Sequence, residues 1–290
     1  SFEQPSLAQA GADQSLCTDQ TTIGGQGSNF SGSGLWTILS GTGVVSDVNV
    51  ASPTVTNLSV GLNQFVWTLS NGICPSNFDT ISVLVKESPT VADAGQGQLT
   101  CDSSVSLDGN LPVVGTGVWT LLSGSAIITS PSQNNTVVTS LPAGESKFVW
   151  TITTAECPAS SDTVIITRLP SPSQAQAGSD QSVCGNQTVL SASNPASGNG
   201  EWNVISGTAL FGDSTSASTA VSGLSDGVNL LTWTVSNGLC PSTTDTVSIT
   251  VTLPPVQANA GPDQIICDSV TVMAANPVTS GSAWFTVQGT

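Results

Sequence analysis

The segment Phe65-Val66-Trp67-Thr68-Leu69-Ser70-Asn71-Gly72-Ile73-Cys74-Pro75 occurs three times in this chain, and the interval between copies sets the size of whatever folds. Its counterparts are Phe148-Val149-Trp150-Thr151-Ile152, running on to Cys157-Pro158, and Leu231-Thr232-Trp233-Thr234-Val235-Ser236-Asn237-Gly238-Leu239-Cys240-Pro241. Trp67, Trp150 and Trp233 lie 83 residues apart, as do Cys74, Cys157 and Cys240. A fixed interval of this length marks a tandem repeat whose unit is one small domain. The 290 residues then divide into the end of a preceding repeat and a linker (1–7), repeat 1 (8–87), repeat 2 (88–170), repeat 3 (171–253) and a partial repeat 4 (254–290). Both ends are expected to be internal to a longer array.

The three copies agree in parity. Positions 65, 67 and 69 and their equivalents are large and apolar, while Thr68, Thr151 and Thr234 occupy the alternate face, the period-two pattern of a half-buried strand. A longer loop, Asn-Gly in two copies, leads into Asp79-Thr80-Ile81-Ser82-Val83-Leu84-Val85, so each copy reads as a hairpin. Ile81, Val83 and Val85 are expected inward, and Thr80, Ser82 and Leu84 outward. Asp162-Thr163-Val164-Ile165-Ile166 and Asp245-Thr246-Val247-Ser248-Ile249 keep the same register.

Upstream in each repeat, Ala-Gly-x-Asp-Gln leads to the first cysteine, and a strand follows near Thr21-Thr22-Ile23. Gly34-Leu35-Trp36-Thr37-Ile38-Leu39-Ser40-Gly41 recurs at 117–124 and 200–207, with Trp36 and Ile38 expected inward. A variable middle and a strand around Val55 complete the repeat. Six or seven short strands per repeat, punctuated by turn residues, predict an all-β chain of β-sandwiches. Linkers such as Leu169-Pro170-Ser171-Pro172 are short and stiffened by proline, so the array is expected to be a semi-rigid rod.

Charge narrows the partners. Three basic residues, Lys86, Lys147 and Arg168, stand against a net charge of −16, which excludes nucleic acid and disfavours an anionic membrane surface. No apolar run is long enough to insert into a bilayer.

Seven cysteines follow the repeat, one early and one late in each: Cys17 with Cys74, Cys101 with Cys157, and Cys184 with Cys240, at separations of 57, 56 and 56. Each pair is expected to be a disulfide within its own repeat, which requires an oxidising, extracytoplasmic compartment. Cys267 opens the fourth repeat, and its partner is expected beyond the chain end. Buried thiols and zinc are the alternatives; neither histidine nor Cys-x-x-Cys accompanies the cysteines.

Taken together, Ala-Gly-x-Asp-Gln, Gly-x-Trp-Thr, Phe-Val-Trp-Thr, Asn-Gly-x-Cys-Pro and Asp-Thr-Val resemble tandem immunoglobulin-like repeats, with some similarity to PKD domains, found in giant cell-surface adhesins of the Bacteroidota, including those of gliding motility. The resemblance covers essentially the whole chain. It implies a β-sandwich array secreted through the type IX pathway to the cell surface, where it is a stalk or an adhesive. Two departures stand out: Gly97 replaces the aspartate found at Asp13, Asp180 and Asp263, and Cys157 follows Ala155-Glu156 rather than Asn-Gly.

Catalysis has no foothold. Without histidine, Ser/His and Cys/His arrangements are impossible, and no cofactor is expected. Asp13, Asp180 and Asp263 are thin calcium candidates, set against aspartates that simply bond backbone in a turn. Asp-Ser/Thr-hydrophobic triplets resemble the O-glycosylation signal of that phylum and nominate Thr80, Thr163, Thr246, Ser214 and Ser269; the alternative is an ordinary strand start. The partners expected are neighbouring repeats, surface polysaccharide, or identical chains in a filament assembled through sheet edges. Variable segments such as Ser206 to Ser218 are where a ligand is expected to touch.

Overall fold

The computed structural model describes residues 5–26, 32–254, 257–265, 267 and 271–276. The chain divides into two units: Ser1–Arg168 carries repeats 1 and 2, and Leu169–Thr290 carries repeat 3 and the start of repeat 4.

Repeat 1 consists of β1 (Gln14–Leu16), β2 (Thr21–Thr22), β3 (Ser33–Ser40), β4 (Val44–Val45), β5 (Thr54–Thr56), β6 (Gly61–Ser70) and β7 (Asn77–Val85). They form a four-stranded sheet in the order β1-β7-β6-β3 and a three-stranded sheet in the order β2-β5-β4. Repeat 2 follows the same plan with β8 (Gln98–Thr100), β9 (Val105–Asp108), β10 (Thr116–Ser123), β11 (Ile127–Ile128), β12 (Asn135–Thr139), β13 (Gly144–Thr153) and β14 (Ser160–Arg168). Repeat 3 repeats it with β15 (Gln181–Cys184), β16 (Thr188–Ser191), β17 (Asn199–Ser206), β18 (Leu210–Phe211), β19 (Ser218–Ser222), β20 (Gly227–Asn237) and β21 (Cys240–Thr252). Within each repeat the pairings are antiparallel except one: the first strand runs parallel to the last, β1 with β7, β8 with β14 and β15 with β21.

The alternation read from the sequence becomes the inner wall of the sandwich. Phe65, Trp67 and Leu69 of β6 are buried, and so are Ile81, Val83 and Val85 of β7. Each core is centred on a cross-strand tryptophan pair. Trp36 sits opposite Trp67, Trp119 opposite Trp150, and Trp202 opposite Trp233, with ring centroids 5.0, 5.1 and 5.1 Å apart. Tilted rings at this distance add roughly 1 kcal/mol to the burial of their area. The pair also explains the glycine of Gly-x-Trp-Thr: a Cβ on Gly34, Gly117 or Gly200 would lie 2.1, 2.1 or 1.9 Å from the facing indole. Only a bare backbone lets the ring lie flat there.

Ile38 departs from its expected inward place and is 46% exposed. It lies on the edge strand β3, whose register with β6 shifts between Ile38 and Ser40; the slip turns the strand end away from the core. The same irregularity recurs in β10 and β17. The variable middle is likewise tied down. The amide of the edge-strand tryptophan donates across to it in every repeat, Trp36 to Val48 O, Trp119 to Pro131 O and Trp202 to Ser214 O, each at 2.8 Å. Within the Ser206 to Ser218 segment Leu210 and Phe211 form β18 and Ala217 is buried, while Thr208, Leu210, Asp213 and Thr215 are exposed.

Candidate functional site at the repeat junction

The entering segment of each repeat has few side chains with which to hold itself, so the last strand holds it. Ala10 N–H donates to Asp79 Oδ2 at 2.8 Å, Ala94 N–H to Asp162 Oδ2 at 2.7 Å and Ala177 N–H to Asp245 Oδ2 at 2.7 Å. Two residues earlier, Asn77, Ser160 and Thr243 accept from Ala8, Ala92 and Ala175. The aspartate of Asp-Thr-Val is thus a clamp on the incoming chain. A second clamp comes from the other direction: Asp13 accepts from Ser82 N–H at 2.8 Å and Asp180 from Ser248 N–H at 2.9 Å. These are two of the three calcium candidates, engaged as backbone acceptors, while Asp263 is exposed. Among the described residues no group of three or more potential metal ligands gathers.

The parallel pairing of first and last strands decides where the cysteines lie. Cys184 pairs with Thr252 at the far end of β21, whereas Cys240 is the first residue of that strand. At about 3.3 Å per residue, 13 residues of strand separate the two by roughly 40 Å, and a disulfide tolerates at most about 7 Å between Cα atoms. In repeat 1, Cys17 follows Leu16, the partner of Val85, while Cys74 precedes the start of β7, so these too lie at opposite ends of the sandwich. The expected pairings within repeats, Cys17 with Cys74, Cys101 with Cys157 and Cys184 with Cys240, are therefore overturned.

Cys17 is instead bonded to Cys157, 140 residues on, with Cα atoms 5.6 Å apart. The exit end of repeat 1 meets the hairpin loop at the entry end of repeat 2. Polar contacts close around the bond. Lys86 N–H donates to Leu16 O at 2.7 Å, Ser88 Oγ donates to Cys17 O at 2.9 Å, and the Lys86 ammonium forms an ion pair with Glu156. Glu156, which stands immediately before Cys157 where the other repeats have Ile73 and Leu239, faces Lys86, one of only three basic residues in the chain. One repeat period on, the equivalents of Lys86 and Glu156 are Leu169 and Leu239, so the two positions change character together.

Repeat 3 shows the same hairpin gripping the linker before it. Asn237 Nδ2 donates to Pro170 O at 2.8 Å, and Cys240 Sγ lies 3.7 Å from that oxygen. The acceptor candidates for sugar are dispersed. Thr163 and Thr246 are exposed and Thr80 and Ser214 half-buried, while Ser269 lies outside the described residues. Beside Ser214, Asp213 accepts from the Thr215 hydroxyl at 2.7 Å and the Thr215 amide at 2.9 Å. Those bonds hold its carboxyl below the usual aspartate range.

Seven strands in two sheets around a paired-tryptophan core make each repeat an immunoglobulin-like β-sandwich, and the chain is a tandem array of them. Neither a protein-family model nor a curated protein sequence matches it. Among solved structures, the chain is similar to a three-domain segment of titin, at 12% identity over 88% of this chain and 99% of that one, with a TM-score of 0.42. It is also similar to the N-terminal four immunoglobulin domains of Dscam1, at 10% identity over 85% and 73%, TM-score 0.34. The PKD domain from the KIAA 1837 protein matches 30% of this chain over 92% of its own length, at 30% identity and a TM-score of 0.26.

Proposed function

We propose that this chain is part of the repeat region of a large bacterial surface adhesin of the Bacteroidota type, exported by the type IX route, and that it is a non-catalytic spacer. The observation that carries this reading is the Cys17–Cys157 bond between consecutive repeats. A disulfide of this kind is made and kept in an oxidising compartment, and one that joins neighbouring domains serves the arrangement of an array rather than the fold of a single member. The paucity of basic residues and the absence of histidine fit a surface that neither binds polyanions nor performs acid–base chemistry. The six core tryptophans among the described residues face inward, so none of those indoles is free to stack on sugars, which favours spacing over carbohydrate capture.

The alternative is a structural filament built through sheet edges. It draws on edge strand β3, which contains neither charge nor proline and exposes Leu35, Ile38 and Leu39. Electron microscopy of the native material separates the two. Isolated strands attached to cells support the spacer, and ordered bundles of copies side by side would replace it with the polymer.

A further inference from the structure

Lys86 and Glu156 meet beside the Cys17–Cys157 bond. We infer that they are the docking pair of this junction: their attraction sets the exit of repeat 1 against the hairpin loop of repeat 2, so that Cys17 finds Cys157 rather than a cysteine nearer in sequence. The inference concerns how the junction assembles and stands apart from the adhesin reading.

Three observations support it. First, the two charges flank the bond. Glu156 immediately precedes Cys157, and its carbonyl oxygen lies 3.6 Å from Cys17 Sγ. Lys86 follows Val85, the partner of Leu16 just before Cys17, and its N–H donates to Leu16 O at 2.7 Å. Second, Glu156 has little choice of cation. Of the other two, Arg168 is occupied with Cys101 O and Leu141 O, and Lys147 stands six residues before the end of β13, on the order of 20 Å along the strand. Third, the two positions match in kind. One repeat period on they are Leu169 and Leu239. There a Cβ on Gly238 would lie 2.8 Å from Leu169 Cδ1, so the linker leucine rests on the hairpin turn that leads into Leu239.

Magnitudes show why a docking pair matters. In an unfolded chain, closing 140 residues is about four-fold less favourable than the 57 to Cys74 and about two-fold less than the 84 to Cys101. A partly exposed ion pair gives roughly a two- to five-fold preference, enough to offset the difference. Each closure passes two electrons and two protons from a pair of thiols to oxidised glutathione, which leaves as two reduced molecules.

Timed oxidation of the whole protein tests this. The reduced, denatured chain is diluted into a glutathione buffer, quenched at intervals with N-ethylmaleimide, and digested with trypsin and Asp-N without reductant. Cys17 then falls in peptide 13–18, Cys74 in 47–78, Cys101 in 93–101 and Cys157 in 148–161. The measured quantity is the ratio of 13–18 linked to 148–161 over 13–18 linked to 47–78 or 93–101. Lys86→Glu and Glu156→Lys should each lower it by roughly two- to ten-fold, as an attraction becomes a repulsion, and the double exchange should restore it. In Glu156→Lys the new cleavage site shortens the Cys157 peptide to 157–161. Single variants that leave the ratio unchanged, or a double exchange no better than either of them, overturn the inference. Sodium chloride at about 1 M contracts the Debye length to about 3 Å and should lower the ratio in the unaltered protein, a readout that needs no substitution. A ratio indifferent to salt also overturns it.

Discussion

In repeats 1 and 3 a buried asparagine closes the loop ahead of the central strand; in repeat 2 the same position is Ser146. Asn63 Oδ1 accepts from Thr42 N–H and Ser59 Oγ, and its Nδ2 donates to Ser59 O at 2.7 Å. Asn229 does the same with Thr208 and Ser225. Ser146 is fully buried, and its hydroxyl meets no hydrogen-bond partner among the described residues. Repeat 2 holds that loop from outside instead. Arg168 takes the place of core residues Val85 and Val251, and its Nη1 donates to Leu141 O at 3.0 Å. The comparison teaches that the sandwich needs this loop fixed but does not dictate how. What all three repeats keep is the tryptophan pair, the glycine beneath it and the aspartate clamp on the incoming chain.

The largest test removes something common. Trp67→Ala, Trp150→Ala or Trp233→Ala should each destabilise its own repeat by about 3–5 kcal/mol, read as loss of amide protection confined to that repeat in hydrogen-exchange mass spectrometry. A mild result in any one repeat would break the claim of a shared frame. Next, Asn63→Ala should cost about 3 kcal/mol, since it strands the Thr42 amide and the groups of Ser59, whereas Ser146→Ala should be neutral or stabilise by about 1 kcal/mol by removing a buried, unpaired hydroxyl. Equal losses at the two sites would erase the contrast.

Arg168→Met should cost about 1–2 kcal/mol and raise exchange at residues 141–144. Adding Ser146→Asn should recover part of that loss if the two devices substitute for one another, and strict additivity of the two changes would deny it. The smallest effect concerns pH. Because the Thr215 hydroxyl and amide lower the Asp213 pKa in the folded state, its contribution is present above the ordinary aspartate range and disappears as pH falls through the lowered folded value. The carboxyl carbon-13 titration of Asp213 should therefore have its midpoint below that of an unstructured aspartate. Ser130, its counterpart in repeat 2, leaves that turn without such a dependence.

Period and parity made much of the sandwich legible. The strands around Trp36, Val55, Trp67 and Ile81 lie where the alternation places them, since each buries one face against a tryptophan core. Cysteine partnership was not legible, because it depends on the direction of a three-residue strand. β1 could have run either way, and only its parallel pairing with β7 sends Cys17 to the exit end. The signal available was Glu156, next to Cys157, and Lys86 at the end of repeat 1: two opposite charges in a chain nearly devoid of positive ones. The roles of Asp79, Asp162 and Asp245 were hidden for a related reason, since a clamp on a segment some 70 residues earlier leaves no local trace.

The crossed position of the Cys17–Cys157 bond has a mechanical meaning. When a tandem array is pulled from its ends, each domain that yields pays out its chain, and 140 residues drawn straight would lengthen the molecule by roughly 500 Å. The disulfide provides a covalent short cut across that stretch, so tension arriving at Cys17 passes to Cys157 without straightening the intervening chain. Most of both sandwiches lies inside the closed loop. A pulled molecule should therefore yield its full length only after reduction, which makes the thiol state of the surroundings the control on how far it can stretch.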